Sequence, residues 1–145
     1  MFNIPSLCEY FLTNGANINA KDEFGETALH FAAKNNSKES AELLISYGIN
    51  INEKNDDGET AIHIAALFNS KETAELLISH GANINEKNDN GETALHIAAL
   101  NDNKETAELL ISYGIHINEK NDNGETPLHI AEQYNNEEIA KLLIS

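Results

Sequence analysis

Gly25, Gly58, Gly91 and Gly124 stand 33 residues apart, and each opens a copy of one short phrase. The copies read Gly25-Glu26-Thr27-Ala28-Leu29-His30, Gly58-Glu59-Thr60-Ala61-Ile62-His63, Gly91-Glu92-Thr93-Ala94-Leu95-His96 and Gly124-Glu125-Thr126-Pro127-Leu128-His129. A second series, Gly15, Gly48, Gly81 and Gly114, keeps the same period. A fixed period of this size means a stacked array, in which each unit buries its apolar side on its neighbours, rather than one globular core. The register divides the single domain 1–145 into units 22–54, 55–87, 88–120 and 121–145, the last incomplete. Residues 1–21 then read as the second half of a truncated unit.

Within each unit the local signals recur in the same order. A polar loop such as Asn52-Glu53-Lys54-Asn55-Asp56-Asp57-Gly58 carries a turn at its tip, and Asn90-Gly91 and Asn123-Gly124 are dipeptides of tight turns. Thr27, Thr60, Thr93 and Thr126 follow as N-caps, whose hydroxyls can accept one of the N–H groups that a helix start leaves unpaired. Pro127 sits just after its threonine, where a missing N–H costs nothing. The first helix is short, as in His63-Ile64-Ala65-Ala66-Leu67-Phe68, and its alanine pairs let neighbouring helices approach closely. Asn36, Asn69, Asp102 and Asn135 end it; Asn and Asp are the residues other than Gly that best tolerate positive φ. Ser37, Ser70, Asn103 and Asn136 are N-cap types and open a second helix such as Lys71-Glu72-Thr73-Ala74-Glu75-Leu76-Leu77-Ile78-Ser79. Its Ala74, Leu77 and Ile78 lie at i, i+3 and i+4, on one face. No such helix is long enough to stand alone, so stacking supplies the stability.

These residues closely resemble the ankyrin repeat, whose motif is Thr-Pro-Leu-His-x-Ala within a 33-residue unit. Here it stands as Thr27-Ala28-Leu29-His30-Phe31-Ala32, Thr60-Ala61-Ile62-His63-Ile64-Ala65, Thr93-Ala94-Leu95-His96-Ile97-Ala98 and Thr126-Pro127-Leu128-His129-Ile130-Ala131. The family's second-helix ending appears as Leu76-Leu77-Ile78-Ser79-His80-Gly81-Ala82-Asn83-Ile84-Asn85. Three departures stand out. Three repeats have Ala for Pro, and the usual Gly between the helices is Asn or Asp. Ser40, Thr73 and Thr106 occupy a usually apolar position, where the core should be thin. The resemblance implies an all-α ankyrin solenoid of antiparallel helix pairs with projecting β-turn loops. It implies a concave face made of loop tips and first helices, which binds proteins, and no catalytic activity. It also makes the motif residues Thr27, His30, Thr60, His63, Thr93, His96, Thr126 and His129 structural, each histidine bonding its threonine and a neighbouring loop.

Charge bounds the partner. The formal net charge is −15, from 24 acids against nine lysines and no arginine. Nucleic acid is disfavoured, since phosphate binding needs clustered cations, and an anionic membrane surface is disfavoured by the same sign argument. A basic or amphipathic protein segment is favoured. Cys8 is the only cysteine, so there is no intrachain disulfide, and the chain suits a reducing, cytoplasmic compartment. The start, Met1-Phe2-Asn3-Ile4-Pro5, lacks the features of a signal peptide.

No cofactor or metal is expected. The motif histidines are one repeat apart, about 8–10 Å, which is too far to share one ion. No nucleophile constellation or phosphate loop stands out, so no catalytic residue is assigned. The candidate partner-binding residues are the acids at the tips and groove edge, with the variable positions of the first helices. The acids are Glu23, Glu26, Asp56, Asp57, Glu59, Asp89, Glu92, Asp122 and Glu125. The floor is Leu67, Phe68, Leu100, Asn101 and Tyr134, joined by Phe24 at a loop tip, with Lys34 the one cation among the groove positions. Alternatively the array is a structural spacer, or a regulatory segment of a longer enzyme or channel. Ile139 and Leu142 read as lying on the stacking side of the last unit, which suggests a fragment of a longer array, the chain being either a monomer or weakly self-associated end to end.

Overall fold

Residues 17–145 are described by the structure, a computed structural model. Among them there are eight helices and no strand. The first helices of successive repeats are α1 (Ala28–Lys34), α3 (Ala61–Leu67), α5 (Ala94–Leu100) and α7 (Pro127–Gln133). The second helices are α2 (Lys38–Ser46), α4 (Lys71–Ser79), α6 (Lys104–Ser112) and α8 (Glu137–Ile144). Each layer stacks in chain order, α1 on α3 on α5 on α7 and α2 on α4 on α6 on α8, and the core runs between the layers. The half unit read into residues 1–21 lies, but for residues 17–21, outside the described residues, as does Cys8.

The core follows from the repeat. Leu29, Ile62 and Leu95 fill it from the first helices, and the alanine pairs Ala65-Ala66 and Ala98-Ala99 are fully buried where those helices meet. From the second helices come Ala41, Ala74 and Ala107 with Leu44, Leu77 and Leu110. The buried arc is wider than the i, i+3, i+4 stripe: Leu76 is buried as well, while Ile78 is only partly so. A second helix has a neighbour on each side as well as the layer beneath it, so a broader face leaves water. Ile139 is likewise fully buried against the preceding repeat rather than left on an open end.

The Asn-Gly pairs lie in tight turns as expected, at the third and fourth positions of the turn rather than its two central ones. Asn88 N–H donates to Glu92 O (2.9 Å) and Gly91 N–H to Asn88 O (3.0 Å), so the loop is Asp89-Asn90-Gly91, with only the glycine left-handed (φ 73°). A turn followed by a left-handed glycine is the usual three-residue hairpin loop. Close approach adds a second demand for glycine. A Cβ at Gly91 would lie 2.5 Å from Asp122 Oδ1 and 2.9 Å from Asp122 N, whereas one at Gly124 would meet nothing within 4 Å.

The second-helix caps differ from the expectation. Ser37, Ser70, Asn103 and Asn136 make no side-chain cap to their own helices. The cap comes from the preceding repeat. Asn36, held at φ 50°, accepts from Thr73 N–H (3.1 Å) and the Thr73 hydroxyl (2.9 Å) through Oδ1. Asn69 does the same for Thr106, at 3.2 and 2.8 Å. The third position of α4 and of α6 is thus capped in trans, and Thr73 and Thr106, two of the three polar residues expected to thin the core, are a buried clasp between repeats. Asn103 and Asn136 reach backwards instead. Asn103 Nδ2 donates to Ala66 O (2.7 Å) and Leu67 O (3.0 Å), and Asn136 Nδ2 to Ala99 O (2.6 Å). Ser70 occupies the same place one repeat earlier; it is too short to bridge, and its buried hydroxyl has no partner.

Two predictions follow from these contacts. Ser70→Asn should complete the bridge to the end of α1 and raise stability by about 1 kcal/mol, a gain of roughly 3 °C in melting temperature. Gly91→Ala and Gly124→Ala share the cost of a left-handed alanine, about 1–2 kcal/mol. Gly91→Ala should cost at least about 1 kcal/mol more in urea denaturation, because its methyl group also meets Asp122.

Candidate functional site

The loops are built by one side chain each. Asn55 Oδ1 accepts from Asp57 N–H (3.0 Å) and Glu59 N–H (2.9 Å), while Asn55 Nδ2 donates to Glu59 Oε1 (3.3 Å). Asn88 and Asn121 repeat this with Glu92 and Glu125, each amide to carboxylate at 3.1 Å. In the first loop Asp22 replaces the asparagine and accepts from Phe24 and Glu26 N–H, without an amide to offer Glu26. The glutamates at the groove edge are therefore half-buried, and three have one oxygen already engaged. Burial, then the charges of Asp57 and Glu92, push the Glu59 carboxyl above its ordinary range, against the pull of the Asn55 amide. Asp56, Asp57, Asp89 and Asp122, with Glu23, are exposed.

Successive loops are locked in line. Asp56 N–H donates to Phe24 O, Asp89 N–H to Asp57 O and Asp122 N–H to Asn90 O, all at 3.0 Å. Behind the tips, Lys21, Lys54 and Lys87 each reach one repeat forward, to Glu53, Glu86 and Glu119 at 2.7, 2.9 and 3.0 Å. Those lysines are engaged with glutamates, and among the described residues no lysine pairs with a tip aspartate.

On the floor, Leu67, Phe68, Leu100 and Tyr134 are 37, 46, 39 and 53% exposed. Lys34 Nζ lies 5.7 Å from the centre of the Phe68 ring. Asn101 turns back, its Nδ2 donating to Ile97 O in its own helix (2.8 Å). A cleft of about 460 Å³ opens between the third and fourth loops and brings together Glu92, Leu100, Asp122, Glu125 and Tyr134. Glu23, Phe24, Glu26, Asp56, Asp57, Glu59, Leu67, Phe68, Asp89 and Asn101 do not line it. Asn90, Asn121, Asn123, Ile130 and Gln133 do. The asparagines were passed over because charge marked the tips, although Asn90 shares its repeat position with Asp57; Gln133 shares its position with Leu67 and Leu100.

The motif pairs join loop to helix and repeat to repeat. All four first helices open on a capping box with histidine at its third position. The stronger arm runs from threonine N–H to histidine Nδ1, at 3.0–3.1 Å. The arm from helix N–H to the threonine hydroxyl reaches hydrogen-bond geometry at Thr126, 3.3 Å from His129 N. Since Nδ1 accepts, Nε2 carries the proton. It donates forward, from His30 to Glu59 O (2.9 Å), from His63 to Glu92 O (3.0 Å) and from His96 to Glu125 O (3.0 Å). Among the described residues no group of three or more His, Cys, Asp or Glu could hold a metal ion, and no helix is long and apolar enough to cross a membrane.

A family model described as ankyrin repeats (3 copies) matches residues 1–88 and 83–145. No curated protein matches the chain.

The clamp has a pH consequence. Burial holds the His63 and His96 imidazoles below their ordinary range, outweighing the carbonyl bonds to Glu92 and Glu125 that pull the other way. The unfolded chain therefore binds these protons first as pH falls. Their contribution is complete above the unfolded value of 6.5 and is lost as pH drops through the folded one. Between pH 6.5 and 5.5, above the ordinary carboxylate range, the urea midpoint should fall; a flat midpoint would mean that the rings accept a second proton without breaking the clamp.

Proposed function

The chain belongs to the ankyrin repeat family, whose members are generally protein–protein interaction modules, and we propose that it is a non-catalytic scaffold binding a basic or amphipathic protein segment on the face formed by loop tips and first helices. The observation that carries this reading is the pairing of two features. Exposed aspartates occupy the loop tips, Leu67, Phe68, Leu100 and Tyr134 at the ends of the first helices are among the large apolar side chains left open to water, and Asp122, Leu100 and Tyr134 line one cleft. An extended or helical segment with Lys or Arg around apolar anchors fits such a surface by charge and by burial. The composition suits a cytoplasmic setting, which belongs to the same proposal.

The test begins with affinity capture from the source cell and identification of the partner by mass spectrometry. Phe68→Ala with Leu100→Ala should weaken the captured complex at least about tenfold, as loss of central apolar anchors does. Binding should also fall as salt is raised, mainly through the association rate. Undiminished affinity in a folded double variant would exclude this face.

A further inference from the structure

We propose that the cleft between the third and fourth loops seats one arginine side chain of the bound segment, with the Tyr134 ring as the platform for its guanidinium. This rests on the tip-and-floor face being the docking face. One such cation–ring pair is already filled inside the molecule. In each repeat the first helix ends on two variable positions, 34-35, 67-68, 100-101 and 133-134. Lys34, at the first of these, places its ammonium over Phe68, at the second position of the next repeat. Asn35 and Asn101 fill the second position elsewhere and turn back on their own helices. Tyr134 is the other aromatic. The residue that stands to it as Lys34 stands to Phe68 is Leu100, which brings an apolar wall and no charge. The intramolecular cation is missing from the one ring that borders the 460 Å³ cleft.

The surroundings supply what a cation needs. Glu92, from the third loop, and Asp122 and Glu125, from the fourth, line the cleft, and no lysine does. Glu92 and Glu125 each have Oε1 held by an asparagine amide, which fixes the carboxylates while leaving Oε2 to a ligand. Among the described residues these acids form no group that could hold a metal ion. A planar guanidinium suits carboxylates presented from two loops. It has five donors in a fixed fork, is less strongly hydrated than an ammonium and stacks on an aromatic face, while its aliphatic stem lies along Leu100 and Ile130.

The test uses the whole chain, labelled with ¹⁵N, and three probes: the Nα-acetyl N-methylamides of arginine, lysine and citrulline. Arginine should shift the amides of Leu100, Asp122 and Tyr134 in a saturable way. Citrulline, nearly the same shape without the charge, should bind at least tenfold more weakly, and lysine several-fold more weakly. Tyr134→Leu keeps the apolar surface, and Tyr134 is half exposed, so the variant should fold; it should weaken arginine about fivefold or more, while Tyr113→Leu, a similarly exposed aromatic at the end of a second helix, should not. Equal binding of citrulline, equal binding of lysine, a response centred on Asp56 and Asp57, or an unaffected Tyr134→Leu would each overturn the assignment. If arginine fails here while Phe68→Ala with Leu100→Ala still loses the captured partner, the cleft assignment falls and the docking face stands. If both fail, the face itself is wrong.

Discussion

Every repeat is completed by the one after it, and hydrogen bonds across that seam are what the rest of the molecule depends on. A helix of seven residues leaves most of its backbone donors and acceptors unpaired at its ends. A pair of such helices cannot bury those groups unaided, because an unpaired buried group costs about 1–3 kcal/mol. The neighbouring repeat supplies the partner four times over: histidine to the next Glu carbonyl, asparagine to the next second helix, tip N–H to the preceding tip carbonyl, and loop asparagine to the next loop, as in Asn52 Oδ1 with Asn83 N–H at 2.8 Å. Apolar stacking drives assembly, but this polar seam fixes its register, since a slip of one residue would orphan all four lines at once.

Much of the fold was legible because the seam is written as a period. The phrase from Gly25 to His30 and its three echoes placed the helices, their order and the loops, and they pointed to the family that the comparisons then identified. What was missed shares one cause: reading each helix as its own object. Ser70 and Asn103 look like caps for the helices that follow them, because capping is local in sequence; their actual partners are in the preceding repeat or absent. Thr73 and Thr106 look like weak points in a core until Asn36 and Asn69, 37 residues earlier, are placed beside them. The chain does carry that signal in retrospect. Where Asp102 replaces the asparagine, the residue 37 positions on is Ile139, and it is fully buried. The asparagine amide and the threonine hydroxyl leave the seam together, and a buried apolar side chain takes the hydroxyl's place.

The candidate site was legible to a different degree, and for a physical reason. Residues that hold the array must recur, so the floor stands out as what does not recur: Lys34-Asn35, Leu67-Phe68, Leu100-Asn101, Gln133-Tyr134. Sequence offers these as equals. The fold ranks them, because Asn101 satisfies itself on Ile97 and Phe68 already carries Lys34, while Tyr134 borders open space. Likewise the acids of the tips are equals in composition, yet Glu59, Glu92 and Glu125 serve their own turns through Asn55, Asn88 and Asn121, and the aspartates do not. No pattern of spacing distinguishes a carboxylate held by an amide from one left to solvent.

That division of labour also decides where the charge is felt. Lys21, Lys54 and Lys87 are drawn into the seam behind the tips, each paired with a glutamate of the next repeat, and Lys104 pairs with Glu138 on the second-helix side at 2.8 Å. These four lysines thus bridge successive repeats through glutamates, while Asp56, Asp57, Asp89 and Asp122 are exposed and carry no ion pair among the described residues. The net charge of −15 is therefore not spread evenly over the surface. Asp122 lines the cleft with Leu100 and Tyr134, so part of that charge lies within about one Debye length of a segment docked there. Stacking the repeats and attracting a cationic visitor follow from one arrangement, because pairing Lys21, Lys54 and Lys87 with glutamates of the next repeat leaves the tip aspartates without an ion pair among the described residues.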